Sequence, residues 1–197
     1  MIKEKIDPGT EPSELMRHIF EEHVKHYGDP DLRFEFHQGT SKIFNRLDVF
    51  AWEPTNQIPM TTFSTAGMAD LALNGTSHRC EIHWTIRGRL TEKEESACAQ
   101  FLAALAEYPF LKDTPLDHWH IISRVAIPAF SKCSHILFHP TFVKDGWDKI
   151  QFNGQIIKIL NLVPITSEEN QLAVSTGVNT LLDHLFSSKT DIFSDRK

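Results

Sequence analysis

The sequence is poor in nearly every pattern that announces a chemistry. Its three cysteines, Cys80, Cys98 and Cys133, are widely spaced and form no CxxC pair. That excludes a disulfide framework and a cysteine metal knuckle, and suits a reducing compartment. There is no GxGxxG, Walker loop, GxSxG or HExxH, so no phosphate cradle, nucleophile elbow or helical zinc pair is written locally. No apolar run is long enough to span a bilayer, and Met1–Pro8 lacks an apolar signal core. The expectation is a soluble, cytoplasmic protein with no membrane partner. Basic residues are also in deficit. Lys and Arg number 20 against 26 Asp and Glu, for a net charge of -6. General nucleic-acid binding needs the opposite balance. An acidic surface favours encounter with a basic partner instead.

What is present describes one folded domain. Hydrophobic residues make up 41% of the 197 residues, with 14 phenylalanines, enough for an aromatic-rich core. No repeat or linker divides the chain. The expected layout is an N-terminal loop over 1–12, one domain over 13–186 and a polar, frayed tail over 187–197. Ser13 precedes a helical face of Leu15, Met16, Ile19, Phe20, Val24 and Tyr27, closed by Gly28. Strands are expected at Leu32–Phe36, Leu47–Trp52, Thr61–Thr65 and Arg79–Ile86. In the last, Cys80, Ile82, Trp84 and Ile86 share one face; Arg79, Glu81, His83 and Thr85 share the other. Thr91 and Glu94 form a capping box for a helix expected to end at Tyr108, before Pro109. Further strands are expected at His118–Val125 and Ser134–Phe138, and a polar loop around Asp145-Gly146-Trp147. Asn153-Gly154 predicts a hairpin between Ile150–Phe152 and Ile156–Val163. Thr166 and Glu169 form a second capping box, with helix to Phe186 interrupted at Gly177. Grouped strands with helices at both ends and in the middle predict an α+β fold: a mixed, largely antiparallel sheet with helices against it.

Eleven histidines raise a metal hypothesis. His18, Glu22 and His26 fall on one helix stripe, a spacing equally natural on a solvated face. His118 and His120 would share a face of a strand, as two metal ligands require. A third ligand, from His83, His135 or His139, cannot be placed by spacing. Cys80 and Cys98 fall on apolar faces and suit the core better than nucleophilic chemistry. Cys133 lies in a polar loop beside Lys132 without a positioned base. The Glu94-Glu95 and Glu168-Glu169 pairs are explained by helix N-termini. No catalytic constellation, metal or cofactor is expected.

An ordered series of segments resembles the Suppressor of fused (SUFU) family. It comprises Leu47-Asp-Val-Phe-Ala-Trp-Glu-Pro-Thr55, Phe63-Ser-Thr-Ala-Gly-Met-Ala-Asp-Leu71 and Arg79-Cys-Glu-Ile82. Then come Leu102-Ala-Ala-Leu-Ala-Glu-Tyr-Pro109, His120-Ile-Ile122 and Leu162-Val-Pro-Ile-Thr-Ser-Glu-Glu169. Together they span about residues 30–186. Trp119, Ile121, Ala69 and Ala72 depart from the family's glycine, threonine, serine and proline. The resemblance implies an α/β-type domain on a mixed sheet, without enzymatic activity, that binds a protein. The animal member takes a peptide as an added strand between two lobes, and this chain has room for one. Bacterial members are inferred to be immunity proteins that neutralise a cognate toxin. The candidate partner-contact residues are Gly67, Asp70, His118 and His120. Each has a structural alternative: positive φ for Gly67, turn capping for Asp70, a buried bonded ring or plain exposure for the histidines. The competing function is a metal-binding protein or metal-dependent hydrolase built on His118 and His120. A purely structural subunit is the third. Oligomeric state is open.

Overall fold

The structure is a computed structural model describing residues 11–142 and 146–196. Most of the expected N-terminal loop and Asp145 of the expected polar loop lie outside that range. Helix α1, Glu14–Tyr27, opens on Ser13, whose Oγ accepts the Met16 N–H, and closes at Gly28. Strands β1 (Leu32–His37), β2 (Arg46–Trp52), β3 (Met60–Ala66) and β4 (Arg79–Arg87) follow, with a 3-10 turn at Met68–Asp70 before β4. Helix α2 spans Glu92–Lys112, and β5 (Ile121–Ser123), β6 (His135–His139), β7 (Lys149–Phe152) and β8 (Gln155–Ile165) complete the sheet. Helices α3 (Ser167–Thr176) and α4 (Val178–Ser187) meet at Gly177.

The strand order is β1-β2-β3-β4-β8-β6-β5, with β7 also paired to β8. All pairings are antiparallel except β4 with β8. That pair is joined by a long crossover containing α2, as parallel neighbours require. The α+β expectation, a mixed and largely antiparallel sheet, holds. So does the β7–β8 hairpin: Asn153 and Gly154 both have positive φ, 47° and 79°, as a type I′ turn demands. Both capping boxes form.

Alternation along the strands sends residues to two covered faces. Leu47, Val49, Ala51, Ile82, Trp84, Ile136 and Leu160 pack with Cys98, Leu102 and Leu105 of α2. Phe50, Trp52, Ile157 and Ile159 pack with Leu15 and Ile19 of α1. Farther along that second face, Leu137, Val163 and Ile165 meet Ala173, Leu181 and Leu185 of α3 and α4.

Three segments differ from expectation. Helix α2 does not stop before Pro109 but continues to Lys112. A proline forfeits one backbone hydrogen bond, and here it is itself buried while Phe110 packs edge-on against Phe44, ring centres 5.5 Å apart. The strand expected over His118–Val125 shrinks to Ile121–Ser123. Trp119 and Arg124 take left-handed φ, 73° and 63°, at its two ends, which an extended strand cannot accommodate. The tail is docked rather than frayed. Beyond the last β4–β8 pair, Trp84 with Leu162, the Arg87 N–H donates to Phe193 O at 2.8 Å. Arg196 donates to Pro164 O at 2.9 Å and pairs with Glu169 at 3.0 Å.

Candidate functional site

The turn after β3 is organised by a carboxylate from the neighbouring strand. Glu81 is fully buried. Its Oε2 accepts the Thr65 hydroxyl at 2.6 Å, and its Oε1 accepts the Gly67 and Ala69 N–H groups, each at 3.0 Å. Burial pushes the Glu81 carboxyl up to about 7, with those three donors pulling the other way. Gly67 sits at φ 118°, and a Cβ there would lie 2.8 Å from Arg46 O. Both backbone conformation and space therefore require glycine. The Arg79 guanidinium donates to Ala69 O at 2.6 Å. Asp70, half-buried, accepts the Ser13 hydroxyl at 2.7 Å. Ser13 caps α1, so Asp70 bolts the turn to the first helix.

Beside this turn lies a buried histidine pair. His23 Nδ1 is 2.6 Å from Ile19 O, so that nitrogen carries the hydrogen and Nε2 is left as an acceptor. This His23 Nε2 lies 2.7 Å from His83 Nε2 and 2.6 Å from Ser64 Oγ. Burial lowers His23 to about 4 and His83 well below the ordinary imidazole range. Both rings are neutral at pH 7. Trp52 stacks on His23, and Trp147 meets His23 and His83 edge-on. Ser64 is fully buried, so its contact with His23 is core packing rather than an accessible nucleophile.

The four residues singled out by sequence do not form one site. Gly67 is buried and bonded to Glu81, and Asp70 is occupied by Ser13. His118 and His120 do not share a strand face, because both precede β5. The His118 ring approaches Ile159 O at 2.9 Å, while His120 Nδ1 lies 3.1 Å from Pro115 O. Ile159 falls between the residues of β8 paired with β7 and those paired with β6. His118 thus satisfies a strand carbonyl that neither neighbour reaches. Among the described residues, no group of three His, Cys, Asp or Glu side chains is placed to hold a metal ion. The His18, Glu22, His26 stripe also separates: His18 meets Gln151 O, Glu22 pairs with Lys25, and His26 stacks on Trp147. Sequence reading missed Glu81 and the pairing of His23 with His83. The one available signal was a Glu and a His on the same side of an otherwise strongly apolar strand.

At the sheet's ends, β1 and β5 are the outer strands. The six residues of β1 alternate partly buried Leu32, Phe34 and Phe36 with exposed Arg33 and Glu35. Arg33 and Arg46 both reach the buried Asp48 of β2, at 2.7 and 3.0 Å.

A family model described as Suppressor of fused protein (SUFU) matches residues 45–196. The chain belongs to the Suppressor of fused family. Solved structures agree in fold. A SUFU homologue from Neisseria gonorrhoeae FA 1090 superposes with a TM-score of 0.69 at 14% identity, covering 93% of this chain and 94% of that one. Sufu from a crystal structure of the Sufu–Fu complex gives 0.68 at 14% identity, covering 92% and 86%. Drosophila Suppressor of Fused gives 0.67 at 14% identity, covering 95% of this chain but only 50% of that one. No curated protein matches the chain. Within this SUFU domain, the family-like segment Phe63–Leu71 is the strand and turn that Glu81 organises.

Proposed function

We propose that this SUFU-family domain is a non-enzymatic module that binds a protein partner. The observation that carries the reading is the family match over residues 45–196. It is supported by the same fold in Sufu solved as a complex with Fu. The finer reading is an immunity protein that neutralises a cognate toxin in the cytoplasm. The net charge of -6 supports a basic partner, since opposite charge accelerates encounter and disfavours wrong partners. An extended segment of that partner would add to β1, which has β2 as its single strand neighbour among the described residues. The shorter β5 suits this less, because His120 N–H turns back to Asp117 O at its entrance.

The test is co-expression with a toxin encoded beside this gene. Rescue of growth together with a stoichiometric complex supports the immunity reading. Rescue without a complex, or a complex without rescue, sinks it. The Gln38 N–H donates to Asn45 O in the β1–β2 register, so the Phe34 and Phe36 N–H groups face β2 and the Glu35 N–H faces outward. A Glu35→Pro substitution would remove an edge N–H without touching the turn at Gly67. Binding unchanged in that variant would rule out strand addition at β1.

A further inference from the structure

A polar hollow of about 740 Å³ lies where the end of β5, the start of β6 and the first turns of α3 meet. Its lining includes Arg124, Ser134, His135, Ser167, Asn170 and Gln171, and no carboxylate. His135 is only 8% exposed. Its Nδ1 is 3.0 Å from Ser134 Oγ, and Nε2 has no hydrogen-bond partner among the described residues. The sealed side-chain atoms without a partner among those residues are His37 Nδ1 and Trp84 Nε1. His135 Nε2 is therefore open to the hollow. When the Ser134 hydroxyl donates to Nδ1, Nε2 carries the hydrogen and becomes a donor.

The other donors are uncommitted as well. The Arg124 guanidinium has no hydrogen bond or ion pair among the described residues, and its backbone is held at φ 63°. The carboxamides of Asn170 and Gln171 likewise meet no described partner. The backbone at the start of α3 does not supply the site, because Thr166 and Glu169 already cap it. Glu169 is turned to Arg196, and Glu168 is held below the usual carboxylate range by bonds to its own amide and to Thr166. Both acids are thus engaged at the cap.

A planar guanidinium fork, an imidazole, hydroxyls and two carboxamides around a space free of carboxylates make a donor set for an oxyanion with several acceptor oxygens. The space exceeds a bare phosphate and leaves room for the carbon part of an ester. We propose that this hollow binds the phosphate group of a phosphomonoester, with Arg124 as the forked partner and His135 Nε2 as a second donor. This stands apart from the strand-edge reading of β1. The phosphate can belong to a free small molecule or to a phosphorylated residue of a peptide.

Calorimetric titration of the full chain tests the proposal, using glycerol 3-phosphate, a phosphoserine peptide and its unphosphorylated twin. Saturable binding of either phosphorylated probe is expected, with perturbation of the His135 ring resonances. Arg124→Gln and His135→Gln should each weaken it roughly tenfold, the loss of one charged hydrogen bond. Arg124 is exposed and unbonded, so its variant keeps the fold. Lys93→Gln on α2, the same charge change elsewhere, should bind as the parent does. Tighter binding of the peptide than of glycerol 3-phosphate assigns the site to a phosphorylated partner; equal binding assigns it to a free ester. No saturable binding at about 10 mM, or binding indifferent to Arg124→Gln, overturns the proposal.

Discussion

The Nε2 atoms of His23 and His83 lie 2.7 Å apart inside the domain, with the His83 N–H donating to the lone pair of His23, and burial disfavours a charge on either ring. A second proton on His23 would face the His83 N–H directly. The histidine pair makes the fold sensitive to acid.

Both histidines have depressed folded-state values, so the unfolded chain binds more protons in the affected range. Their contribution is present above pH 6.5 and is lost as pH falls through that value towards 4, where His23 titrates when folded. For His23 the full loss is roughly 3 kcal/mol. Urea denaturation between pH 7.5 and 4.5 is expected to show that decline. A His83→Phe variant should flatten it, because one of the two buried imidazoles is gone. An equally steep decline in the variant would contradict the assignment.

Glu81 acts in the opposite sense. Its folded value, about 7, lies above the unfolded 4.5. Its contribution is full below pH 4.5 and falls as pH rises to 7, partly masking the histidines between pH 4.5 and 6.5. Glu81→Gln is expected to remove this opposing slope and steepen the net acid sensitivity. Glu81→Ala leaves two buried N–H groups and a hydroxyl without an acceptor, at a cost of about 3 kcal/mol or more. Denaturant titration of both variants at pH 5 and pH 8 separates charge from hydrogen bonding.

Gly67→Ala places a methyl 2.8 Å from Arg46 O at φ 118°. The expected cost is about 3 kcal/mol, or about 6–12 °C in Tm for a domain of this size. Calorimetry would show it, and an unchanged Tm would mean that the turn shifts freely.

Asp70→Ala removes the acceptor of the Ser13 hydroxyl and is expected to cost about 1 kcal/mol. Asp70→Asn keeps an oxygen in place and should recover most of that loss. If Asp70→Ala leaves stability unchanged but weakens a partner, the residue belongs to the binding surface instead of the cap of α1.

The polar tail is a further stabilising contact. Arg196, which pairs with Glu169 and caps Pro164 O, is largely shielded from water. Arg196→Ala is expected to cost about 2 kcal/mol, because Glu169 and a strand carbonyl both lose their partner. A thermal melt checks this. A loss near zero would mean the tail is held by its other contacts: the Arg87 N–H on Phe193 O, the Arg87–Asp191 ion pair and the Ser131 hydroxyl on Asp195.

Local pattern was enough for the elements whose causes are local. Ser13, Thr91 and Thr166 start helices through bonds three residues away. Asn153-Gly154 makes its turn by backbone preference, and alternation along β4 reports a sheet face. The ordered segments were also enough for the family. Tertiary structure alone decided the rest, because those contacts join residues distant in sequence. Pro109 stays helical and the tail is fastened by partners on β4, β8 and α3. His118 is a plug for Ile159 O, 41 residues away, not half of a metal site. The stretch Phe63–Leu71 was visible as a strand running into a glycine turn. That its turn is held by Glu81 and fastened to Ser13, 57 residues from Asp70, depended on β4 lying beside β3 and α1 lying across both. Spacing along a chain cannot encode that proximity.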